Sequence, residues 1–152
     1  MRIAVAADHA GYDLKEIVAE HLLSRGHEVL NLGVNTAAVP SDYPDAATAV
    51  AKALHSGKAE RGVLMCGSGV GVSVAANKYP GIRAAVCHDT YSAHQGVEHD
   101  QMNVLVLGGR IIGEALARDL VDAFVGAQFS GEERHVRRLN KVLAIEHEQM
   151  TG

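Results

Sequence analysis

Three short segments of the sequence combine glycines with side chains that could bind or react with a small molecule. They are Asp8-His9-Ala10-Gly11, Cys66-Gly67-Ser68-Gly69-Val70-Gly71 and Gly108-Gly109-Arg110. Each follows a short apolar run that is typical of a buried strand. Because the carboxyl ends of parallel strands meet at one edge of a sheet, we expect the three segments to form one site there.

The segment from Cys66 to Gly71 is the most informative of the three. Its three glycines allow backbone N–H groups to approach a phosphate or a developing oxyanion, although they would equally suit a tight turn without a ligand. The spacing matches neither a dinucleotide-binding pattern nor a Walker A loop. Cys66 is a candidate reactive thiol, because a helix N-terminus and nearby cations can lower the pKa of a cysteine, although a cysteine at a strand end can equally be inert core. Cys87 is predicted to be a buried strand residue.

Two arginines near the carboxyl terminus are candidates for binding phosphate. Arg134 and Arg138 are four residues apart, so they share one face of a helix. They indicate either a solvated basic face paired with neighbouring glutamates or a phosphate clamp completed by Arg110 or His9. The clamp requires the helix to fold back onto the sheet edge, or to reach it from a second copy of the chain.

The nine histidines suit acid–base chemistry better than metal binding. None stands with Cys, Glu or another His at the spacing of a zinc site, so no metal is predicted. His9 and His99 lie at a strand or helix end, where an acid–base group is useful. Four others are predicted to lie at the surface: His21, His27, His55 and His147.

Short apolar runs alternate with helical patterns along the whole chain. The predicted strands are Arg2–Ala7, Glu28–Leu32, Val63–Cys66, Arg83–Cys87 and Val104–Leu107. The predicted helices are Tyr12–Ser24, Tyr43–His55, Gly71–Lys78, Thr90–Glu98 and Gly113–Val125. This alternation predicts an α/β fold, a three-layer α/β/α sandwich around a five-stranded parallel sheet, with the polar second strand at an edge.

A last helix, at about 132–148, follows the completed sheet. It carries an apolar stripe of five residues: Val136, Leu139, Val142, Leu143 and Ile145. A stripe in this place packs either on its own domain or on a partner, and we expect a partner. The chain as a whole is expected to be a single domain spanning residues 1–152.

Composition excludes several classes of protein. The formal net charge is −4 and aromatic residues make up 4% of the 152 residues, without a basic stripe, so nucleic-acid binding is not expected. No apolar run reaches the roughly 18 residues of a membrane span. The two cysteines are not paired in a CxxC motif, which favours free thiols and a cytoplasmic location.

Four segments together resemble type B ribose-5-phosphate isomerase, in a family that also includes galactose- and allose-6-phosphate isomerases. They are AADHAG at 6–11, CGSGVGVSVAANK at 66–78, EHDQMNVLVLGGR at 98–110 and ERHVRR at 133–138. The resemblance extends from Arg2 to about Ile145. It implies a Rossmann-like sandwich that forms a homodimer or tetramer with active sites shared between subunits. It also implies aldose–ketose isomerisation of a phosphorylated sugar without a metal or cofactor.

The resemblance also assigns roles to individual residues. Cys66 would move the proton between C2 and C1 through an enediolate, and His99 of the partner chain would open the furanose ring. The residues it implies for substrate contact are Asp8, His9, Gly67, Ser68, Gly69, Val70, Gly71, Asp100, Arg110, Arg134 and Arg138. Members of another branch use a Glu at the position of Val72, so Cys66 and Val72 identify the Cys branch.

One position departs from the family pattern. Asp100 stands where an Asn usually contacts the sugar, and an ionised Asp accepts hydrogen bonds without donating them. The expected substrates are ribose 5-phosphate and ribulose 5-phosphate, with a tetrose, allose or galactose phosphate as alternatives. A different class also remains open: a non-catalytic module that binds a sugar phosphate or nucleotide on the same fold. Loop contacts near Asp8–Tyr12, Asp42-Tyr43 and Asp100 are expected to set the specificity.

Overall fold

The computed structural model describes residues 1–150, in which five strands alternate with helices and a sixth helix follows. The strands are β1 (Arg2–Ala7), β2 (Glu28–Asn31), β3 (Arg61–Cys66), β4 (Ala84–Val86) and β5 (Val104–Gly108). The helices are α1 (Tyr12–Ser24), α2 (Tyr43–His55), α3 (Val70–Ala76), α4 (Thr90–Asp100), α5 (Glu114–Val125) and α6 (Glu133–Met150).

The strands form one parallel sheet in the order β2-β1-β3-β5-β4. The predicted α/β class, the five-stranded parallel sheet and the edge position of the second strand are confirmed. β4, at the other edge, is shorter than the predicted Arg83–Cys87. The backbone N–H of Arg83 donates to the side chain of Asn103 at 2.8 Å instead of to a neighbouring strand.

Alternate residues of the central strands face two separate apolar layers. On one face, Ile3 and Val5 of β1 pack in the cluster that holds the apolar sides of α1, α4 and α5. On the other, Ala4 and Ala6 pack in the cluster of α2 and α3. Since both faces are buried, β1, β3 and β5 are continuous apolar runs, and this is why the sequence pattern identifies them.

The end of α4 differs from the sequence prediction in a way that bears on function. The helix continues past Glu98 through Asp100 and ends at Gln101, whose φ of 50° places it in the left-handed region. His99 and Asp100 therefore lie in the last helical turn rather than in a loop.

The prediction of a surface position for His21 is wrong. His21 is buried, and its Nε2 lies 2.8 Å from Asp122 Oδ1, a contact that joins α1 to α5.

The stripe on α6 is only partly covered by the chain itself. Leu139 is 8% exposed, whereas Val142 and Ile145 are 52% and 63% exposed. An apolar groove of about 650 Å³ runs between this helix and β4. None of the helices described within residues 1–150 has the combination of length and apolar character that spanning a membrane requires.

Candidate active site

Seven of the predicted site residues line one cavity at the carboxyl edge of the sheet. The cavity has a volume of about 440 Å³ and follows the ends of β1, β3 and β5. The seven are Asp8, His9, Cys66, Gly67, Ser68, Gly71 and Arg110. The expectation that the three glycine-containing segments meet at one edge is therefore met by the geometry.

The thiol of Cys66 lies at the end of β3, in the turn that leads into α3. Its side chain is buried, and Sγ accepts a hydrogen bond from the backbone N–H of Gly69 at 3.2 Å. Gly69 has a φ of +85°, a conformation that favours glycine. The Ser68 hydroxyl accepts from Val70 N–H at 3.2 Å. Of the predicted loop residues, Gly69 and Val70 do not line the cavity, and the Val70 side chain is 60% exposed.

Close backbone contacts hold the three segments together. Gly109 N–H donates to Cys66 O at 2.8 Å, and Arg110 N–H donates to Gly67 O at 3.0 Å. A Cβ at Gly109 would lie 2.7 Å from the carbonyl oxygen of Ala10, so the first and third segments approach too closely for any larger residue. This packing places the Arg110 side chain beside Gly67, in the cavity that Cys66 also lines.

Replacing Gly109 with alanine is expected to open the site. The new Cβ must push the Ala10 backbone away, and we expect a loss of about 1–3 kcal/mol in the free energy of unfolding. Turnover should fall about 10²-fold because groups misplaced by about 1 Å react poorly. The control is Gly113→Ala, where a Cβ meets nothing within 4 Å. Initial rates measure turnover, and a urea denaturation curve measures the free energy of unfolding of each variant. Equal turnover in the two variants would contradict this packing.

The first segment is held by its own side chains. Asp8 is buried, and its Oδ1 accepts hydrogen bonds from the N–H groups of Ala10 and Gly11 at 3.0 and 3.1 Å. His9 makes a reciprocal pair with Ser41: its N–H donates to Ser41 Oγ at 2.9 Å, and Ser41 N–H donates to its Nδ1 at 3.0 Å. Because Nδ1 accepts, a neutral His9 carries its proton on Nε2 and can donate it to an oxygen in the cavity.

A buried lysine positions the loop that carries Ser41. Lys15 of α1 is 2% exposed, and its ammonium donates to the carbonyl oxygens of Leu32 and Val34 at 3.1 and 2.6 Å. Its Nζ also lies 3.4 Å from a carboxylate oxygen of Glu16. A buried charge is tolerated only when it is paired and hydrogen-bonded, and these contacts supply both. Lys15 therefore anchors the start of the loop whose end contacts His9.

Replacing Lys15 with methionine should loosen this loop without emptying the core. Methionine keeps the apolar stem but leaves two carbonyl oxygens without their donor, so we expect a loss of about 2 kcal/mol in the free energy of unfolding. The KM for substrate should rise several-fold as His9 loses its fixed orientation. The matched control is Lys58→Met at an exposed lysine. An unchanged denaturation midpoint and an unchanged KM in Lys15→Met would contradict the anchoring role.

Tyr43 also contributes to the cavity wall, and the sequence indicated it only as part of a specificity loop. Its ring lies so close to Gly71 that a Cβ there would be 2.9 Å from the ring. Lys15 and Ser41 were not identified from the sequence. Their contacts are made across 17 to 32 residues of chain, and no local motif marks such contacts.

The remaining predicted site residues lie away from this cavity. His99 borders a cavity of about 500 Å³ beside His94 and Glu98, and Asp100 borders the groove between β4 and α6. Arg134 is exposed and forms an ion pair with Glu132 at 2.6 Å, and Arg138 is exposed on the same helix. A single chain therefore does not bring His99, Asp100, Arg134 or Arg138 to Cys66.

The second cysteine offers no comparable chemistry. Cys87 is buried beside Met102, with 4.0 Å between the two sulfur atoms. Burial, together with the nearby carboxylate of Asp89, raises the pKa of the Cys87 thiol to about 11, so it stays protonated near neutral pH. Within residues 1–150, no group of three or more His, Cys, Asp or Glu side chains is arranged to hold a metal ion.

Comparison with known proteins places this geometry in a family. A model described as Ribose/Galactose Isomerase matches residues 3–142. The chain is 45% identical to ribose-5-phosphate isomerase B of Escherichia coli strain K12, over 95% of this chain and 96% of that protein. It is 38% identical to D-erythrulose-4-phosphate isomerase of Pectobacterium atrosepticum, over 98% of this chain and 97% of that protein.

Solved structures agree with this assignment. The structure of Clostridium thermocellum ribose-5-phosphate isomerase B matches with a TM-score of 0.93 and 45% sequence identity, covering 97% of this chain and 99% of that one. The sequence identity, the coverage and the shared fold lead to one conclusion: the chain belongs to the ribose/galactose isomerase family.

Proposed function

We propose that the protein is an aldose–ketose isomerase that interconverts ribose 5-phosphate and ribulose 5-phosphate. The observation that carries the proposal is the thiol of Cys66, held in a cavity between an acidic, a basic and a glycine-rich segment at the sheet edge. The identity of 45% to a ribose-5-phosphate isomerase B supports the choice of substrate. A module that only binds sugar phosphates has no need of a thiol at this position.

In the proposed reaction, Cys66 acts as the base on the open-chain sugar. The thiolate takes the proton from C2, the C–H electron pair forms the C1=C2 double bond, and the aldehyde oxygen becomes an enediolate oxygen. The proton of the C2 hydroxyl then moves to O1, and protonation of C1 by the Cys66 thiol leaves the carbonyl at C2 and restores the thiolate, so atoms and electrons balance. One base serves both carbons because they are adjacent. Stabilising the enediolate is the larger task, and we assign it to the Ser68 hydroxyl and to the backbone N–H groups of the loop residues that border the cavity, Gly67, Ser68 and Gly71.

The phosphate is proposed to bind where arginines converge. Arg110 and His9 border the cavity in the same chain, and Arg134 and Arg138 would come from a second copy through α6. The support for a second copy is the exposed part of the α6 stripe, at Val142 and Ile145. We therefore propose a homodimer, or a tetramer built from such dimers, with α6 at the interface and each site shared.

His99 of the second copy is proposed to open the furanose ring. Its Nδ1 lies 2.9 Å from the side-chain nitrogen of Gln95, which can only donate. A neutral His99 therefore carries its proton on Nε2, where it can be given to the ring oxygen. This scheme requires no metal and no cofactor. We further propose that the protein works in the cytoplasm, where the thiol of Cys66 stays reduced.

A tetrose phosphate is the second candidate substrate. The identity of 38% to a D-erythrulose-4-phosphate isomerase supports it. The test is a comparison of kcat/KM for ribose 5-phosphate, D-erythrulose 4-phosphate, allose 6-phosphate and galactose 6-phosphate. We expect the highest kcat/KM with ribose 5-phosphate. A higher value for another sugar phosphate would keep the reaction type and change the substrate, and no turnover of any would favour the binding module.

A further inference from the structure

His135 is a buried histidine that lies beside one of the proposed catalytic groups. It occupies the first turn of α6 and is 3% exposed, so it cannot itself reach a substrate. Its ring stacks on that of His99, with 4.0 Å between the ring centroids and 25° between the planes. His135 can therefore act on the reaction only through its neighbours, and the one in direct ring contact is His99.

Hydrogen bonds fix the ring of His135 in this place. Its Nδ1 lies 2.6 Å from Ser130 Oγ, which also accepts from Glu132 N–H at 3.2 Å. Ser130 N–H donates in turn to the carbonyl oxygen of Glu98 at 2.9 Å. The start of α6 is thereby tied to the last turn of α4, where His99 lies. His135 thereby links His99 to the helix that carries Arg134 and Arg138.

The ring of His99 has few other restraints. Gln95 contacts its Nδ1 at 2.9 Å, and a carboxylate oxygen of Glu98 lies 3.4 Å from its Nε2. These contacts hold the two ring nitrogens. The stacked ring of His135 packs against the face of the imidazole and adds a restraint on its rotation about the Cβ–Cγ bond. It is the only ring-stacking contact of His99 within the described residues.

The charge state of His135 suits this role. Burial lowers its pKa, and the neighbouring His99, Arg134 and Arg138 lower it further, against a rise from Glu132. With its pKa below the ordinary value of about 6.5, His135 is neutral at pH 7. A neutral ring can stack on His99 in both protonation states, whereas a charged one would repel the imidazolium form.

We propose that His135 is a positioning residue for ring opening, because its stacked face holds the His99 imidazole in the orientation that delivers a proton to the furanose oxygen. The inference rests on the proposed function of His99. In this step the C1–O4 bond breaks, O4 takes the proton from Nε2, and the C1 hydroxyl gives its proton to solvent water as it becomes the aldehyde; water then returns a proton to Nε2. The later proton transfer by Cys66 does not involve His99.

Because His99 and Cys66 act in different steps, the rates of the two steps can be measured separately. A purely structural role of His135 would not change one rate without the other. Ribulose 5-phosphate cannot close a five-membered ring, because its O5 is esterified. Exchange of its C1 proton with D2O therefore reports the Cys66 step alone. Conversion of ribose 5-phosphate reports ring opening as well. A residue that positions His99 should change the second rate and leave the first unchanged.

The experiment compares His135→Leu with His135→Phe in the full-length protein. Both side chains fill the buried site, and only phenylalanine keeps an aromatic face against His99. We expect His135→Leu to lower kcat for ribose 5-phosphate about tenfold, a part of the 10²–10⁴-fold that a general acid typically contributes. His135→Phe should stay within about threefold of the parent. Exchange at C1 of ribulose 5-phosphate should stay within about twofold in both variants, since the Cys66 step itself is untouched.

A second pair of variants distinguishes the loss of positioning from a general loss of folded structure. Ser130→Ala removes the Oγ partner of His135 at an exposed position and should lower ribose conversion two- to threefold with exchange unchanged. His55→Leu is the control: His55 ends α2, on the opposite face of the sheet from α4, and its replacement removes only an edge contact with Tyr79 and a contact with the carbonyl oxygen of Pro80. Equal ribose conversion by the Leu and Phe variants, or a parallel fall in exchange, would overturn the inference. Absence of both reactions in the parent protein would instead overturn the proposed function.

Discussion

Replacing Cys66 with alanine is expected to abolish isomerisation, with a fall of at least about 10³-fold in kcat, while the protein stays folded. The thiol is the proposed base, and a positioned base contributes about 10²–10⁴-fold. Removing one buried sulfur leaves a small cavity, which should cost about 1 kcal/mol in the free energy of unfolding. Initial rates with ribose 5-phosphate and a urea denaturation curve measure the two effects.

Cys87→Ala is the matched control for this substitution. Both cysteines are 5% exposed, so the loss of packing is similar in the two variants. Cys87 remains a protonated thiol at neutral pH because burial raises its pKa to about 11. Its replacement should leave kcat within about twofold of the parent, because no step of the reaction uses it. A Cys66→Ala protein that keeps more than a tenth of its activity would remove Cys66 from the role of base.

Mixing two inactive variants is expected to restore activity. In the proposed dimer, each site combines Cys66 of one chain with His99 of the other. A heterodimer of Cys66→Ala and His99→Ala chains contains one site with both groups intact and one with neither. Random association of equal amounts makes half of the dimers mixed, so about one quarter of the parent activity should return.

The structure supplies the reason for this expectation. Within one chain, Cys66 lines the cavity at the sheet edge, whereas His99 borders a different cavity beside Glu98. Mixing should follow unfolding and joint refolding, with each variant refolded alone as the control. Activity that stays at the level of the separate variants would show that the two residues do not act in one shared site.

Much of the fold could be predicted because burial leaves a strong pattern. β1, β3 and β5 are covered on both faces, so nearly every residue in them is apolar. Since crossovers place all parallel strand ends at one edge, the positions of Asp8, Cys66 and Arg110 followed from their order in the sequence. Their meeting at one cavity required no knowledge of any side-chain contact.

The supporting contacts could not be predicted, for physical reasons. Lys15 and Ser41 act through backbone groups of a loop that has no regular pattern, and any polar residue could occupy such positions in a sequence. His21 was placed at the surface because nothing near it in sequence indicates Asp122, 101 residues away. The extension of α4 through His99 depends on Gln101 adopting a positive φ, which glycine would have signalled and glutamine does not.

The stripe on α6 shows a further limit. Its helical spacing was evident, but spacing does not reveal what covers an apolar face. Leu139 packs on the chain itself, while Val142 and Ile145 remain exposed. The contact between His135 and His99 was equally hidden, because the two residues are 36 positions apart and each has an ordinary local context.

The most direct test of the central claim, an enediolate isomerisation with Cys66 as base, is proton NMR of ribose 5-phosphate in D2O with the purified protein and EDTA. Ribulose 5-phosphate should appear and carry deuterium at C1, and the Cys66→Ala protein should produce neither change. Three results would contradict it: no ketose formed, loss of the reaction in EDTA, or ketose without deuterium after many turnovers, which would indicate hydride transfer between the two carbons.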